Sequence, residues 1–213
     1  MTEYSGMRLE TAPGRVTASR VTREAEVRVV VERGERREPA LDTGLGFFNH
    51  MLEMVAWHAG LNLEVSFRQK TFPLAHVVGE DIGMALGMAC AALLREAIPD
   101  GVEGVGSAWM PMDEALAFSA VSFEGRSNHF VRRTAPGSRL ERVEDMACAD
   151  MVAFFEGFAQ GGRCTVHLAI TEGEDPHHSW EAACRAFGVA LRLCFRPFPF
   201  RAGLTVGVKG TLD

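Results

Sequence analysis

Alternating apolar and polar positions predict the first strand of the chain. Val27, Val29 and Val31 share one face of an extended segment, and Arg28 lies on the other face. Valine-rich runs of period two are typical of strands. The pattern therefore predicts a strand over Glu26–Glu32.

Two longer segments have apolar residues at helical spacing. Phe47–Ala59 is followed by Gly60, a residue that commonly ends helices because it tolerates left-handed backbone. Asp81–Ala97 has the same spacing and stops before Pro99. Between the two segments, Leu61–Phe67 alternates like a strand. These segments are typical of an α/β unit.

The chain also contains an internal repeat at an offset of 101 residues. The repeated positions keep one register through a helix end, a strand, a polar motif and a second helix: Gly60 with Gly161, Val65 with Val166, His76 with His177, Glu80 with Glu181, and Ala85, Gly87 and Ala89 with Ala186, Gly188 and Ala190. The alternative is two unrelated helices of similar composition. We predict one compact domain of two related halves, residues 19–100 and 101–213 with a C-terminal tail, after a loose N-terminal extension over residues 1–18.

Composition narrows the class of partner. The 213 residues are 47% hydrophobic and carry a formal net charge of −6. That is enough apolar content for a sizeable core, and it lacks the basic balance of nucleic-acid-binding proteins. The one arginine-rich stretch alternates with glutamates and is typical of a solvated turn; it holds Arg33, Arg36 and Arg37 beside Glu32, Glu35 and Glu38.

The cysteines and the longest apolar run point to the cytosol. The five cysteines form no close pair, so we expect reduced, mostly buried thiols. The N-terminus lacks the charged and apolar regions of a signal peptide. Ile82–Leu94 is too short and too rich in glycine to predict a membrane span.

The strongest local signal for chemistry is the segment Asp175–Glu181. Asp175 is a suitable helix N-cap, and the proline after it fits a first helical turn. His177 and Glu181 then share a helix face, because four residues make about one turn. Imidazole and carboxylate on one face favour a divalent metal site. The alternative is a helix start with exposed polar residues. His178 points elsewhere and could serve a second metal or a neighbouring subunit.

Other histidines extend this hypothesis unequally. His76 and Glu80 repeat the four-residue spacing in the first half, and His50 lies in an apolar segment where a lone histidine is often a core residue. A strand-like context favours a structural role for His167. Two further histidines, His58 and His129, are weaker candidates.

Several motifs together resemble imidazoleglycerol-phosphate dehydratases. The family's T-K-E-T, T-G-I-G-F-F-D-H-M-L, P-M-D-E-A-L, T-L-H and N-x-H-H-x-x-E-A segments are similar, in order and spacing, to Thr22–Glu24, Thr43–Leu52, Pro111–Leu116, Thr165–His167 and Asp175–Ala182. The resemblance implies a duplicated α/β (α+β) half-domain, each half a small β-sheet backed by two helices, as in the ribosomal protein S5 domain 2-like fold. It also implies trimers that assemble into a larger shell.

The resemblance assigns the site residues as well. It implies that manganese is bound by His50, His76, Glu80, His167, His177, His178 and Glu181. It implies that Glu24 transfers a proton, and that Arg126 and Lys209 hold the phosphate of a small-molecule substrate. The implied reaction removes water from imidazole glycerol phosphate in histidine biosynthesis.

The chain also departs from the family pattern. Val77 stands where the first H-H-x-x-E motif has its second histidine, and residues 69–75 lack the acids and the histidine that precede that motif. Asn49 replaces an aspartate that we expect to support His50. The family's arginine is missing near Gly104–Gly106, and its serine is missing near Val208.

Three functions follow from these matches and departures. The first is a dehydratase with a modified metal site. The second is a catalytically silent homologue that acts as an oligomeric binding or assembly protein. The third is a metal enzyme with another substrate. We expect no nucleic-acid or membrane partner.

Overall fold

The computed structural model describes residues 3–4, 6–70 and 75–210. Four helices and twelve strands make up the described chain, in the order β1 (Glu3–Tyr4), β2 (Met7–Ala12), β3 (Arg15–Val21), β4 (Ala25–Glu32), β5 (Ala40–Asp42), α1 (Gly46–Ala59), β6 (Asn62–Gln69), α2 (Ala75–Ala97), β7 (Val105–Met112), β8 (Ala115–Ser122), β9 (Asn128–Arg133), β10 (Arg142–Val143), β11 (Met146–Ala147), α3 (Cys148–Gly162), β12 (Thr165–Glu172) and α4 (Pro176–Cys194).

Two sheets of the same design flank the helices. The first has the order β1-β2-β3-β4-β6-β5, and the second has the order β7-β8-β12-β9. In each sheet one short strand runs parallel to its neighbour, β5 beside β6 and β9 beside β12, and the other pairs are antiparallel. Strands β3, β4, β6 and β5 therefore repeat as β7, β8, β12 and β9. The predicted duplication of an α/β half is confirmed.

The register of the repeat differs from the one that the sequence suggested. Gly60 and Arg163 both end a helix in left-handed backbone, with φ of 67° and 47°. The strands that follow begin at residues 62 and 165, so this part repeats at an offset of 103. The pairings of Gly60 with Gly161 and of Val65 with Val166 are therefore wrong by two residues.

The second helix of each half keeps the offset of 101. A Cβ on Gly87 would press against the Phe158 carbonyl of α3, and a Cβ on Gly188 would meet the Val55 carbonyl of α1. Val55 and Phe158 are 103 residues apart, whereas Gly87 and Gly188 are 101 apart. The change comes from the number of residues between strand and helix, which is five (70–74) before α2 and three (173–175) before α4.

The N-terminal segment is not loose where the structure describes it. Residues 7–12 and 15–21 form β2 and β3, which pair with each other and with β4. Val16 and Ala18 are buried on the same face as the valines of β4. Within the expected loose extension, residues 7–12 and 15–18 therefore belong to the sheet, because alternate apolar residues complete the first layer.

Helix α2 begins six residues before the predicted start at Asp81 and packs closely on α3. Added Cβ atoms on Gly79 and Gly83 would lie within 3.0 Å of the α3 backbone. The contact needs both glycines, since there is no side chain that could move aside. The span His76–Asp100 is long and apolar enough to cross a bilayer by length and composition only, but 78% of its apolar window is buried inside the fold.

Two further predictions are confirmed. The turn that holds Arg36 and Arg37 is exposed, and these arginines pair with Glu38 and Glu32. All five cysteines are free thiols with less than 1% exposure; they are Cys90, Cys148, Cys164, Cys184 and Cys194.

Candidate metal centre

The starts of α1 and α4 bring three ligand side chains together. The distance from His50 Nε2 to Glu181 Oε2 is 3.2 Å, and that from His177 Nε2 to the same oxygen is 3.4 Å. One ligand atom from each residue lies within 4.8 Å of the others. The helix predicted at Asp175–Glu181 therefore presents His177 and Glu181 on one face, as expected, and α1 supplies the third donor.

Glu181 is the buried centre of this group, with its side chain only 5% exposed. Arg185, one turn later, donates to Oε1 from Nε at 3.0 Å and also from its terminal nitrogen. Burial alone would raise the pKa of Glu181, but the hydrogen bonds from Arg185 and His50 hold that pKa below its usual value. The carboxylate therefore stays ionised although its side chain is buried.

Both helix starts are fixed by aspartates. Asp175 accepts hydrogen bonds from the backbone N–H groups of His177 and His178, at 2.7 and 3.2 Å. Asp145, about a hundred residues away in sequence, accepts from the backbone N–H groups of Gly46 and Phe47 at 2.6 and 3.1 Å. Such caps satisfy N–H groups that a helix leaves unpaired. By fixing the first turns of α1 and α4, they fix the positions of His50 and His177 relative to each other.

The turn between β10 and β11 covers the site. Glu144 adopts left-handed backbone with φ of 48°, and its Oε1 lies 3.4 Å from Nδ1 of His177. Together with Asp145 it lines an open cleft of about 390 Å³ above His50 and His177. Sequence reasoning missed Glu144 and Asp145, because nothing in their local sequence indicates contacts so far along the chain. It also missed Arg185, although the four-residue spacing from Glu181 could have indicated that pair.

The three donors fit a divalent cation. Two imidazole nitrogens and one carboxylate oxygen suit manganese, iron or zinc. Two of the three donors are held by a second group: Glu144 faces His177, and Arg185 binds Glu181. Such outer partners orient metal-binding side chains and tune their affinity. Within the described residues, His50, His177 and Glu181 are the group of three or more ligands that can share one ion.

His178 faces a different carboxylate. Its Nδ1 lies 2.8 Å from Oε2 of Glu114, and its Nε2 lies 3.7 Å from Oδ2 of Asp113. The contact with Glu114 raises the pKa of His178. The expectation that His178 points away from His177 is therefore met, and its direction is toward the turn between β7 and β8.

Among the described residues, the group of three is not repeated around His76 and Glu80. His76 is exposed and Glu80 is half-buried at the start of α2. By the packing of α2 on α3, the residue that corresponds to His50 is Ala153, at the offset of 103. Val77 occupies the place of His178 at the offset of 101. These two positions carry no donor atom.

The remaining candidate histidines lie apart from this group. His167 is exposed on β12 and stacks on Phe130, with ring centroids 4.6 Å apart. Half-buried His58 has a lowered pKa because of burial and packs beside Gly188. His129 lies 3.8 Å from Glu156.

Asn49 stands where the family has the aspartate expected to support His50, and its side-chain hydrogen bonds are with Thr43. Its Oδ1 accepts hydrogen bonds from the Thr43 hydroxyl and backbone N–H, at 2.8 and 3.1 Å. The Asn49 side chain therefore connects helix α1 to Thr43 and stabilises the loop that precedes the helix.

The residues expected to act on substrate are exposed. Glu24 lies in the turn between β3 and β4, and Arg126 lies in the loop between β8 and β9. The C-terminal segment that carries Lys209 passes close to the second loop, since a Cβ on Gly207 would lie 3.6 Å from the Glu124 side chain. The segments that hold Arg126 and Lys209 therefore approach each other.

Comparison with known proteins decides the family. The sequence profile described as imidazoleglycerol-phosphate dehydratase matches residues 43–191. The chain belongs to the imidazoleglycerol-phosphate dehydratase family. The dehydratase of Thioalkalivibrio sulfidiphilus is 35% identical over 195 residues, which cover 91% of this chain and 96% of that protein. The dehydratase of Alcanivorax borkumensis is 33% identical over 202 residues, which cover 92% and 94%.

Solved dehydratase structures share the fold. The enzyme from Staphylococcus aureus superposes with a TM-score of 0.74 at 25% identity, covering 86% of this chain and 99% of that one. The enzyme from Pyrococcus furiosus, solved in complex with (S)-C348, gives 0.73 at 29% identity, covering 90% and 98%. The predicted family and duplicated fold of this dehydratase-family chain are therefore confirmed.

Proposed function

We propose that this chain catalyses the metal-dependent dehydration of imidazole glycerol phosphate to imidazole acetol phosphate, a step of histidine biosynthesis. The observation that carries the proposal is the group formed by His50, His177 and Glu181 in a family member whose second H-H-x-x-E motif is intact. Full-length similarity to named dehydratases favours this function over a silent assembly protein or a metal enzyme for another substrate.

The three-residue group would hold a divalent cation, for which we propose manganese. When bound, such an ion supplies Lewis acidity that lowers the cost of charge that develops during elimination. Glu181 would contribute a carboxylate oxygen, and His50 and His177 would each contribute an imidazole nitrogen. The cleft beside Glu144 leaves room for a substrate ring next to these donors.

Other residues act on the substrate directly. We assign proton transfer to Glu24, an exposed carboxylate that can act as a general acid or base. Arg126 and Lys209 hold the phosphate, since guanidinium and ammonium groups bind phosphate oxygens by charge-assisted hydrogen bonds. The approach of their two segments supports a shared phosphate grip.

We infer that the chain works as a homo-oligomer. His76, Glu80, His167 and His178 lie outside the group of three, so a second ion would need donors from another copy of the chain. Trimers that assemble into a larger shell would bring such donors together. Each chain would form one compact domain of two halves, and the assembly would function in the cytoplasm. Light scattering that finds only monomer in manganese-containing buffer would contradict this inference.

The first-half set should bind its ion more weakly. Val77 and Ala153 occupy the places that correspond to His178 and His50 in the repeat, and neither side chain has a lone pair to donate. Loss of an outer-shell partner alone costs about 10–100-fold in metal affinity, and a direct ligand is worth at least that. We therefore expect one tightly bound ion per chain and reduced turnover.

Titration with manganese, followed by electron paramagnetic resonance of the free ion, tests the metal assignment. We expect His50→Ala to weaken the tight site by at least about 100-fold. His129→Ala is the matched control, because His129 is another half-buried imidazole near a glutamate. Unchanged affinity in a folded His50→Ala protein would show that the metal lies elsewhere.

A further inference from the structure

The turn between β7 and β8 places a carboxylate opposite the second histidine of the intact motif. Met112 pairs with Ala115, so Asp113 and Glu114 form a two-residue turn. Asp113 has a φ of 47°, the left-handed backbone that such tight turns require. Because both strands are paired up to the turn, the backbone of Glu114 is held in a fixed position.

Glu114 uses its two oxygens for two different tasks. Oε1 accepts hydrogen bonds from the backbone N–H groups of Glu174 and Asp175, at 3.1 and 3.0 Å. Oε2 lies 2.8 Å from Nδ1 of His178. The bonds from Asp175 and His178 lower the pKa of Glu114 to about 2. One carboxylate thus ties the loop before α4 to the imidazole of the motif.

This arrangement selects one tautomer of His178. An ionised carboxylate only accepts hydrogen bonds, so Nδ1 must carry the proton that it donates to Glu114. In the neutral ring Nε2 then keeps its lone pair, which is the form that can bind a cation. A ring with the proton on Nε2 would leave two acceptors facing each other at 2.8 Å.

The internal repeat shows that this pair is specific to the second half. Strand register places Arg20 opposite Val27 and Met110 opposite Ala117, which is an offset of 90. Glu114 therefore occupies the place that Glu24 has in the first half.

The histidine partner has no counterpart there. Val77 stands where the second half has His178, so Glu24 has no imidazole to orient at that place. The carboxylate is present in both halves, but it can fix a histidine only in the second.

We propose that Glu114 is a positioning residue, which fixes His178 in the Nδ1–H tautomer and presents Nε2 as a ligand. The ligand role of His178 rests on the proposed function, whereas the tautomer does not. Glu114→Gln is the informative change. Its carbonyl oxygen can keep the bonds from the loop N–H groups, which turns its NH₂ group toward Nδ1. That donor favours the tautomer with the proton on Nε2.

The test is ¹⁵N NMR of the imidazoles in metal-free protein, at a pH where the titration of His178 shows the ring to be neutral. His178→Asn identifies the signals. We expect a protonated Nδ1 in the unmodified protein, a protonated Nε2 in Glu114→Gln and a return to Nδ1–H in Glu114→Asp. Glu174→Gln is the control, because it makes the same charge change on an exposed residue of the same loop.

A manganese titration completes the test. We expect Glu114→Gln to lose about 10–100-fold in affinity at the ion that His178 binds. The proposal is overturned if His178 already has a protonated Nε2 in the unmodified protein, or if folded Glu114→Gln keeps Nδ1–H. If the unmodified protein has no dehydratase activity but the tautomer changes as expected in Glu114→Gln, the dehydratase assignment is contradicted and the role of Glu114 in fixing the tautomer is supported.

Discussion

Ala153→His should create a second group of three donors within one chain. Helix α2 packs on α3 as α4 packs on α1, and this symmetry relates Ala153, His76 and Glu80 to His50, His177 and Glu181. Ala153 is half-buried, as His50 is, so the position can accept an imidazole. The exchange of alanine for histidine in a helix costs about 0.5–0.7 kcal/mol, which a folded domain tolerates.

The expected effect is a change in stoichiometry. Three donors lie within 4.8 Å of one another around Glu181, whereas the described residues around the corresponding Glu80 offer only His76 and Glu80 itself. A third donor should strengthen the first-half ion by about 100-fold or more, which raises tightly bound manganese from about one to about two per chain. Elemental analysis after gel filtration measures the ratio directly.

Ala92→His is the matched control, because it places the same residue at another half-buried helix position, four turns along α2 from His76. It should leave the ratio at about one. A folded Ala153→His protein with no additional manganese would refute the symmetry argument that assigns Ala153 to the place of His50.

Three further outcomes are expected. Gly83→Ala should destabilise the domain by about 1–3 kcal/mol, because its Cβ would meet the α3 backbone at less than 3.0 Å; Gly207→Ala, whose Cβ has 3.6 Å of clearance, should change the urea midpoint little, and equal midpoints would contradict the close packing. The five thiols should resist a thiol reagent until the protein unfolds, since all are buried and burial raises the pKa of Cys90 to about 12; rapid labelling of native protein would contradict this. Val77→His with Ala75→Asp should increase turnover, as measured by product formation, because both changes restore groups that the family motif has; an unchanged rate would show that these two losses do not limit the reaction.

The sequence predicted the fold well where the hydrophobic pattern is regular and the ends of an element are clearly marked. Val27, Val29 and Val31 alternate cleanly, and β4 has the predicted bounds to within one residue. Gly60 ends α1 as expected. The repeat was detected, but the offset of 101 residues was also applied before α2, where the structure gives 103. The difference is the two additional residues between β6 and α2, which become evident only when the two halves are compared in three dimensions. The strands β2 and β3 were missed, since short alternating segments with small residues such as Ala18 give a weak signal.

The site was predictable as a set of donors and not as a geometry. His177 and Glu181 follow from helical spacing, whereas the approach of His50 depends on how α1 packs against α4. Long-range partners such as Glu144 and Asp145 have no local signature, whereas Arg185 lies one helical turn from Glu181, a spacing from which the pair could have been predicted. The lack of a third donor beside His76 could not be predicted either. It depends on how α2 packs against α3, and nothing in the sequence marks Ala153 as the residue that corresponds to His50.

The most direct test of the central claim is an assay of purified protein with imidazole glycerol phosphate. We expect imidazole acetol phosphate to form only when manganese is present, to be lost with a chelator and to return when the metal is added back. The rate should be about 100–1000-fold below that of a relative with both H-H-x-x-E motifs, the range for loss of one positioned electrostatic interaction. Absence of product from folded, manganese-loaded protein would contradict the dehydratase function, and a rate equal to that relative's would contradict the functional losses assigned to Val77 and Ala153.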